Sequence, residues 1–226
     1  MNRHIAFVPV RGGSKGIPGK NIKLFCDKPL VYWVLKRLED ASSINIIYVA
    51  TDCPIIAKTI RQFSLSKVNI FHRSDESAQD DSPTEHVLLE FLEQTDEIQT
   101  DDTIVLVQAT TPTLQTDDID NMLHFYDQNE YDSCLSCVRV KRFFWDAKGL
   151  PVNYDYTCRP RRQEFEGSLM ENGAIYINNA ANIIKHKNRL SGRIGIYEMP
   201  EISAVEIDEE LDWVMAEKIM KTKILC

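Results

Sequence analysis

The chain has little of what several function classes require. No apolar run in its 226 residues approaches transmembrane length. The apolar stretch near the N-terminus is cut short by Arg11 and lacks a cleavage-like site, so the expectation is a cytoplasmic protein without a membrane partner. Basic charge is in deficit, 26 Lys and Arg against 34 Asp and Glu, and the net charge of −8 argues against nucleic acid as a partner. The six cysteines, Cys26, Cys53, Cys134, Cys137, Cys158 and Cys226, keep no regular spacing, which suits free thiols in a reducing compartment better than a disulfide framework. Cys134 and Cys137 form a lone CxxC without the second pair a zinc site needs, and a strand there would point the two thiols to opposite faces. The five histidines form no HExxH. What remains, 43% apolar and 27% charged residues, is ordinary for a globular protein. A chain this long is sufficient for one domain, 1–226, burying roughly 70–75% of its unfolded surface.

Against that background residues 5–21, IAFVPVRGGSKGIPGKN, stand out. Residues 5–10 are apolar and uncharged, as a strand buried on both faces of an α/β sheet would be. Residues 11–20 then form a glycine-rich, cationic loop at that strand's carboxyl end, where open parallel sheets bind ligands. Gly12, Gly13 and Gly16 let backbone N–H groups approach an anion, and Arg11, Lys15 and Lys20 add positive charge, so a phosphate ester is the expected guest. Two familiar phosphate loops fail here. A Walker A loop would need glycine at Ser14 and Ser or Thr at Asn21, and the dinucleotide fingerprint would need its second glycine at Lys15.

Strand-like and helix-like segments alternate through the rest of the chain, which predicts a sheet covered by helices. Helices are expected over 29–41, 54–63, 82–94, 116–129 and 208–221, the last with Leu211, Val214, Met215 and Ile219 inward. Strands are expected over 44–50, 68–71, 103–107, 132–140, 195–199 and 204–207. Asp52 would cap a helix or face the site, with capping the simpler reading. Gln108 follows the 103–107 strand and lies within reach of the same ligand, whereas Thr110 and Thr111 read equally as turn residues. Glu206 and Asp208, two apart in an extended segment, project their carboxylates to one face and suit Mg²⁺, with Mn²⁺ a substitute; the simpler reading of Asp208 is a helix N-cap, which it could be while also holding the metal, and metal binding is the favoured reading. Between 141 and 169 the periodicity breaks into aromatic and cationic residues, a length of irregular chain that is usually functional.

RGGSKGIPGKNIK, with Lys28, Pro29 and Leu30 after it, closely resembles the signature of the cytidylyltransferases that activate sialic acids and related nine-carbon keto-sugar acids. The resemblance continues in family order through Arg73 and Thr84, Gln108 to Pro112, the Arg-Arg-Gln of Arg161, Arg162 and Gln163, the ENGAIYIN of 171–178, and Glu206-Ile207-Asp208. It implies a Rossmann-like nucleotide-diphospho-sugar transferase fold, α/β with a mixed, mostly parallel sheet flanked by helices. It also implies that 141–169 is a protruding arm reaching a second subunit, hence a homodimer. By the same resemblance Arg11, Gly12, Gly13, Ser14, Lys15, Lys20, Asn21, Arg73 and Thr84 would bind CTP, and Gln108, Arg162 and Gln163 the nonulosonic acid. Arg11, Lys20 and Asp208 would be catalytic, and Asp208 and Glu206 would hold the metal. Three departures matter. Ala109 replaces a proline, Thr113 and Leu114 replace a Leu-Arg pair, and Met170 replaces an arginine before the Glu-Asn-Gly, so the sugar acid itself is open.

The implied reaction is attack of the sugar's anomeric hydroxyl on the α-phosphorus of CTP with loss of pyrophosphate. The alternatives are an eight-carbon keto-sugar acid or a sugar 1-phosphate as acceptor, and a nucleotide-binding regulator of the same fold. The eight-carbon enzymes usually carry Asp-Gly-Asp-Glu-Pro-Leu where this chain has residues 108–113, and intact Lys20 and Asp208 argue for chemistry.

Overall fold

The computed structural model describes residues 3–225, so Cys226 lies outside the described residues. Strand β1 (His4–Pro9) leads through the glycine loop and a small hairpin, β2 (Leu24–Phe25) and β3 (Lys28–Pro29), into α1 (Leu30–Asp40). Then come β4 (Ile46–Thr51), α2 (Pro54–Arg61), β5 (Val68–His72), α3 (Thr84–Gln94), β6 (Thr103–Val107) and α4 (Thr116–Gln128). The chain closes with β7 (Ser133–Val140), β8 (Ser168–Asn179), α5 (Ala180–His186), β9 (Ile194–Met199) and α6 (Glu210–Ile219). Seven strands form one sheet in the order β5-β4-β1-β6-β8-β7-β9, antiparallel only where β8 meets β6 and β7. This is the mixed, mostly parallel sheet that the family resemblance implies, covered by helices as the alternating segments predict.

The unbroken apolar runs of the central strands follow from burial on both faces. In β1, Ala6 and Val8 pack with Val31, Val34 and Leu35 of α1, Ile56 of α2 and Met122 of α4, while Ile5 and Phe7 pack on the other face with Leu88 and Phe91 of α3 and Ile183 of α5. Cys134 and Cys137 divide between the same two faces, and burial pushes the Cys134 thiol up to about 11. Such thiols are inert.

Four segments depart from expectation, the first being helix α5 at Ala180–His186, which no expected helix covers. The β2–β3 hairpin has too few residues to leave a periodic signal. Residues 204–207 are not a strand, because the chain makes a 3₁₀ turn at Glu201–Ala204 after Pro200 and then runs irregularly to α6. Helix α6 is rotated from the predicted face: Trp213 and Ala216 are buried, as is Met220 in the π-helical turn that follows, while Leu211 is 69% and Val214 62% exposed. The indole decides this rotation. Trp213 meets Phe25 edge to face, ring centroids 5.2 Å apart, in a cluster with Ile17 and Leu30, and one large aromatic buries more area than the smaller side chains opposite.

Candidate active site

Strand β1 has β4 on one side and β6 on the other, so the chain's winding reverses beside it and the loops after β1 and β6 part to leave a crevice. Two adjoining lobes of about 380 and 330 Å³ occupy it, sharing Pro9, Arg11, Gln108, Thr110 and Asp208 in their walls. Ser14, Lys15, Gly16, Lys20 and Asn21 line the first. Arg73, Gln79, Asp80, Ser82, Thr84 and Glu206 line the second.

The glycines of the loop do different things. Gly12 donates its N–H to Asp52 Oδ1 at 3.0 Å, and a Cβ there would fall 2.9 Å from Cys53 Cβ. That N–H is therefore spent on a carboxylate of the chain itself. Asp52 is not the helix cap that the simpler reading favours: Cys53 takes the N-cap position of α2, and Asp52 turns back to the loop. A Cβ on Gly16 would collide with the carbonyl oxygen of Asp208, so this glycine lets two distant segments touch. Gly13 faces open space. Buried Asn21 closes the loop, its Nδ2 donating to the Arg11 carbonyl at 3.0 Å.

Charges of both signs converge on the cleft. Lys20 Nζ donates to the Ile207 carbonyl at 2.6 Å and lies 3.2 Å from Asp208 Oδ1, tying the first loop to the segment before α6. Asp80 pairs with Arg11 and Lys15, and the Lys15 hydrogen bond, with the charge of both cations, holds its carboxyl below the usual range. Glu206 Oε1 accepts from Thr110 Oγ1 at 3.1 Å. Burial, then the negative charge of Asp208, pushes the Glu206 carboxyl up. A cation between these two carboxylates would relieve both effects, and their hard oxygens fit Mg²⁺, which takes one or two carboxylates beside substrate phosphates. Arg73 donates from Nε to Ser77 Oγ at 3.3 Å; burial lowers its proton affinity while Asp52 and Glu90 oppose that.

Arg11, Ser14, Lys15, Lys20, Asn21, Arg73, Thr84, Gln108, Glu206 and Asp208 thus share one cleft. Arg162 and Gln163 line neither lobe. They belong to the excursion between β7 and β8, which leaves the sheet at the cleft's end because β7 runs parallel to β6. Of the positions departing from the family pattern, Leu114 is buried in the core, whereas Met170 on β8 is 38% exposed. Sequence reasoning misses Asp80, whose place in an acidic run reads as a solvated turn, and leaves Thr110 and Thr111 undivided. The structure divides them: Thr111 Oγ1 closes the turn onto the Gln108 carbonyl at 3.0 Å, and Thr110 faces Glu206.

The cleft and fold agree with comparisons to known proteins. N-acylneuraminate cytidylyltransferase A of Danio rerio is 36% identical over 225 residues, 96% of this chain and 51% of that protein. The chain therefore spans about half the length of that relative. CMP-N,N'-diacetyllegionaminic acid synthase of Legionella pneumophila is 28% identical, with 97% of each chain covered. Among solved structures, a CMP:2-keto-3-deoxy-manno-octonic acid synthetase complexed with CTP superposes with a TM-score of 0.74 at 16% identity, covering 99% of this chain and all of that one, a likeness of fold. The family model described as cytidylyltransferase matches residues 5–225, and with the glycine loop, the strand-end glutamine and the paired carboxylates in one cleft, this chain belongs to the cytidylyltransferase family.

Proposed function

We propose that the protein transfers a cytidylyl group from CTP to the anomeric hydroxyl of a nine-carbon keto-sugar acid, a sialic, KDN or legionaminic-type acid, releasing pyrophosphate. The names of the Danio rerio and Legionella pneumophila relatives support the substrate class. The observation that carries the reading is the convergence of the Arg11, Lys15 and Lys20 cations with the Glu206 and Asp208 carboxylates on one cleft.

The sugar hydroxyl attacks the α-phosphorus in line and pyrophosphate leaves, a reaction governed by positioning and charge neutralisation. Arg11, Lys15 and Lys20 neutralise the triphosphate, with Ser14 and the Gly13 backbone beside it. Asn21, Arg73 and Thr84 hold the ribose and base, and Gln108 orients the sugar acid. Asp208 and Glu206 are the residues that would hold Mg²⁺ or Mn²⁺, which supplies further positive charge at the phosphates when bound.

The 141–169 arm, with Arg162 and Gln163, serves a homodimer in this reading. Trp145, Leu150, Val152 and Tyr156 are 50–65% exposed there, while Phe143 packs at a tilt against Tyr154 and Phe165, with centroids 4.4 and 4.8 Å away. An exposed apolar surface of this kind suits a second copy. The unpaired thiols Cys26, Cys53, Cys134, Cys137 and Cys158 suit a cytoplasmic setting.

The test is pyrophosphate release in Mg²⁺ with each ribonucleoside triphosphate against nine-carbon and eight-carbon keto-sugar acids. Release with CTP and a nine-carbon acid alone supports the reading; CTP binding without release from any acid overturns it in favour of a regulator. Light scattering on the same preparation reads the dimer, and a monomer at all concentrations removes it.

A further inference from the structure

The turn after β6 holds the segment before α6 through one residue. Thr110 donates its hydroxyl to Glu206 Oε1 at 3.1 Å, and its carbonyl accepts the Ile207 N–H at 2.9 Å. Side chain and backbone of Thr110 thus hold neighbouring residues of the 206–208 segment. On the far side of the carboxylate stands Gly173, at φ +66°, where a Cβ would come within 2.7 Å of Glu206 Oε2 and 3.2 Å of Oε1. The carboxylate is therefore seated between a hydroxyl and bare backbone. A glutamate has one more rotatable bond than an aspartate, so without such a seat its carboxylate would sample positions well apart from Asp208.

We propose that Thr110 is a positioning residue, its hydroxyl fixing Glu206 in the rotamer that presents the carboxylate, together with that of Asp208, to a divalent cation, with Gly173 leaving the room this requires. The inference rests on the reading of Glu206 and Asp208 as metal ligands. Groups that hold a ligand from behind typically set 10–100-fold of metal affinity, because they remove the freedom the ligand would otherwise lose on binding.

The test uses Mn²⁺ as probe, with free Mn²⁺ followed by electron paramagnetic resonance in the presence of CTP. Thr110→Val should weaken Mn²⁺ binding about 10–100-fold, and its turnover should recover at high Mn²⁺. Thr110→Ser, which keeps the hydroxyl, should stay near the parent protein. Glu206→Gln should weaken binding at least as much as Thr110→Val, and the double variant should be no weaker than Glu206→Gln alone, since Thr110 acts through that carboxylate. Parent-like Mn²⁺ binding by Thr110→Val beside a weakened Glu206→Gln overturns the role of Thr110. Full additivity in the double variant also overturns it. Unchanged binding by Glu206→Gln instead overturns the metal reading, and the proposal with it. Thr110→Ala, which retains the backbone hydrogen bond, reads the same way if the valine variant does not fold.

Discussion

Asp80 Oδ1 lies 2.8 Å from Arg11 Nη1, and its second oxygen lies 2.6 Å from Lys15 Nζ. A carboxylate of the chain thus pairs with two cations that the proposed reaction assigns to the triphosphate. Removing its charge in Asp80→Asn should tighten CTP binding, by no more than about fivefold because the pair is exposed, and the gain should fade with added salt. Calorimetric titration at low and high salt measures this. Weaker binding in the variant would mean instead that Asp80 organises the loop for the nucleotide.

Lys20 differs from those two cations in being only 12% exposed and bonded to the 207–208 segment. Lys20→Ala should lower turnover on the order of 10²–10³, the usual loss for one preorganised donor. Pyrophosphate release at saturating CTP is the measurement, and near-normal turnover removes Lys20 from the mechanism.

The glycines separate by a structural test. Gly16→Ala puts a methyl into the Asp208 carbonyl and should cost about 1–3 kcal/mol in urea unfolding, whereas Gly13→Ala meets open space and should stay within about 0.5 kcal/mol. If Gly13→Ala nevertheless loses CTP affinity, its backbone is where the anion approaches.

Glu85, next to Thr84 at the start of α3, accepts two hydrogen bonds from Arg189 at 2.6 and 3.0 Å, with side chains 18% and 22% exposed. Burial works to raise the Glu85 carboxyl, but the Arg189 bonds and charge outweigh it and hold it below the usual range. A carboxyl with its folded value depressed contributes stability above its unfolded value, about pH 4.3, and loses it as pH falls through the folded value. Glu85→Gln should therefore cost about 2 kcal/mol at pH 7, and the gap to the parent should close as pH falls below about 4. Thermal melts at pH 7 and pH 3 check this, and a gap independent of pH would assign the loss to packing.

Much of the fold was legible because local order and burial agree. The runs at residues 5–10 and 103–107 are apolar without a break, and only a strand covered on both faces uses such a run. The helix at 208–221 was legible as a helix but not in its facing. Leu211, Val214 and Met215 satisfy the helical period as well as Trp213, Ala216 and Met220 do, and the Phe25 ring, contributed from almost two hundred residues away, chose between them. The 204–207 segment misled because alternation alone does not reveal that no neighbouring strand is there to pair with it.

By itself the sequence determined the chemistry on offer: a glycine-rich loop with Arg11, Lys15 and Lys20, a glutamine at a strand end, and two carboxylates two residues apart. Composition and motif are local properties, and they survive in one dimension. Only the tertiary structure decided what each group touches. It turned Asp52 from a cap into the partner of Gly12, set Asp80 on two cations, and gave Thr110 rather than Thr111 to Glu206. Those contacts join residues 40 to 96 positions apart, and their geometry comes from strand order and close approach at glycine, which no local pattern encodes.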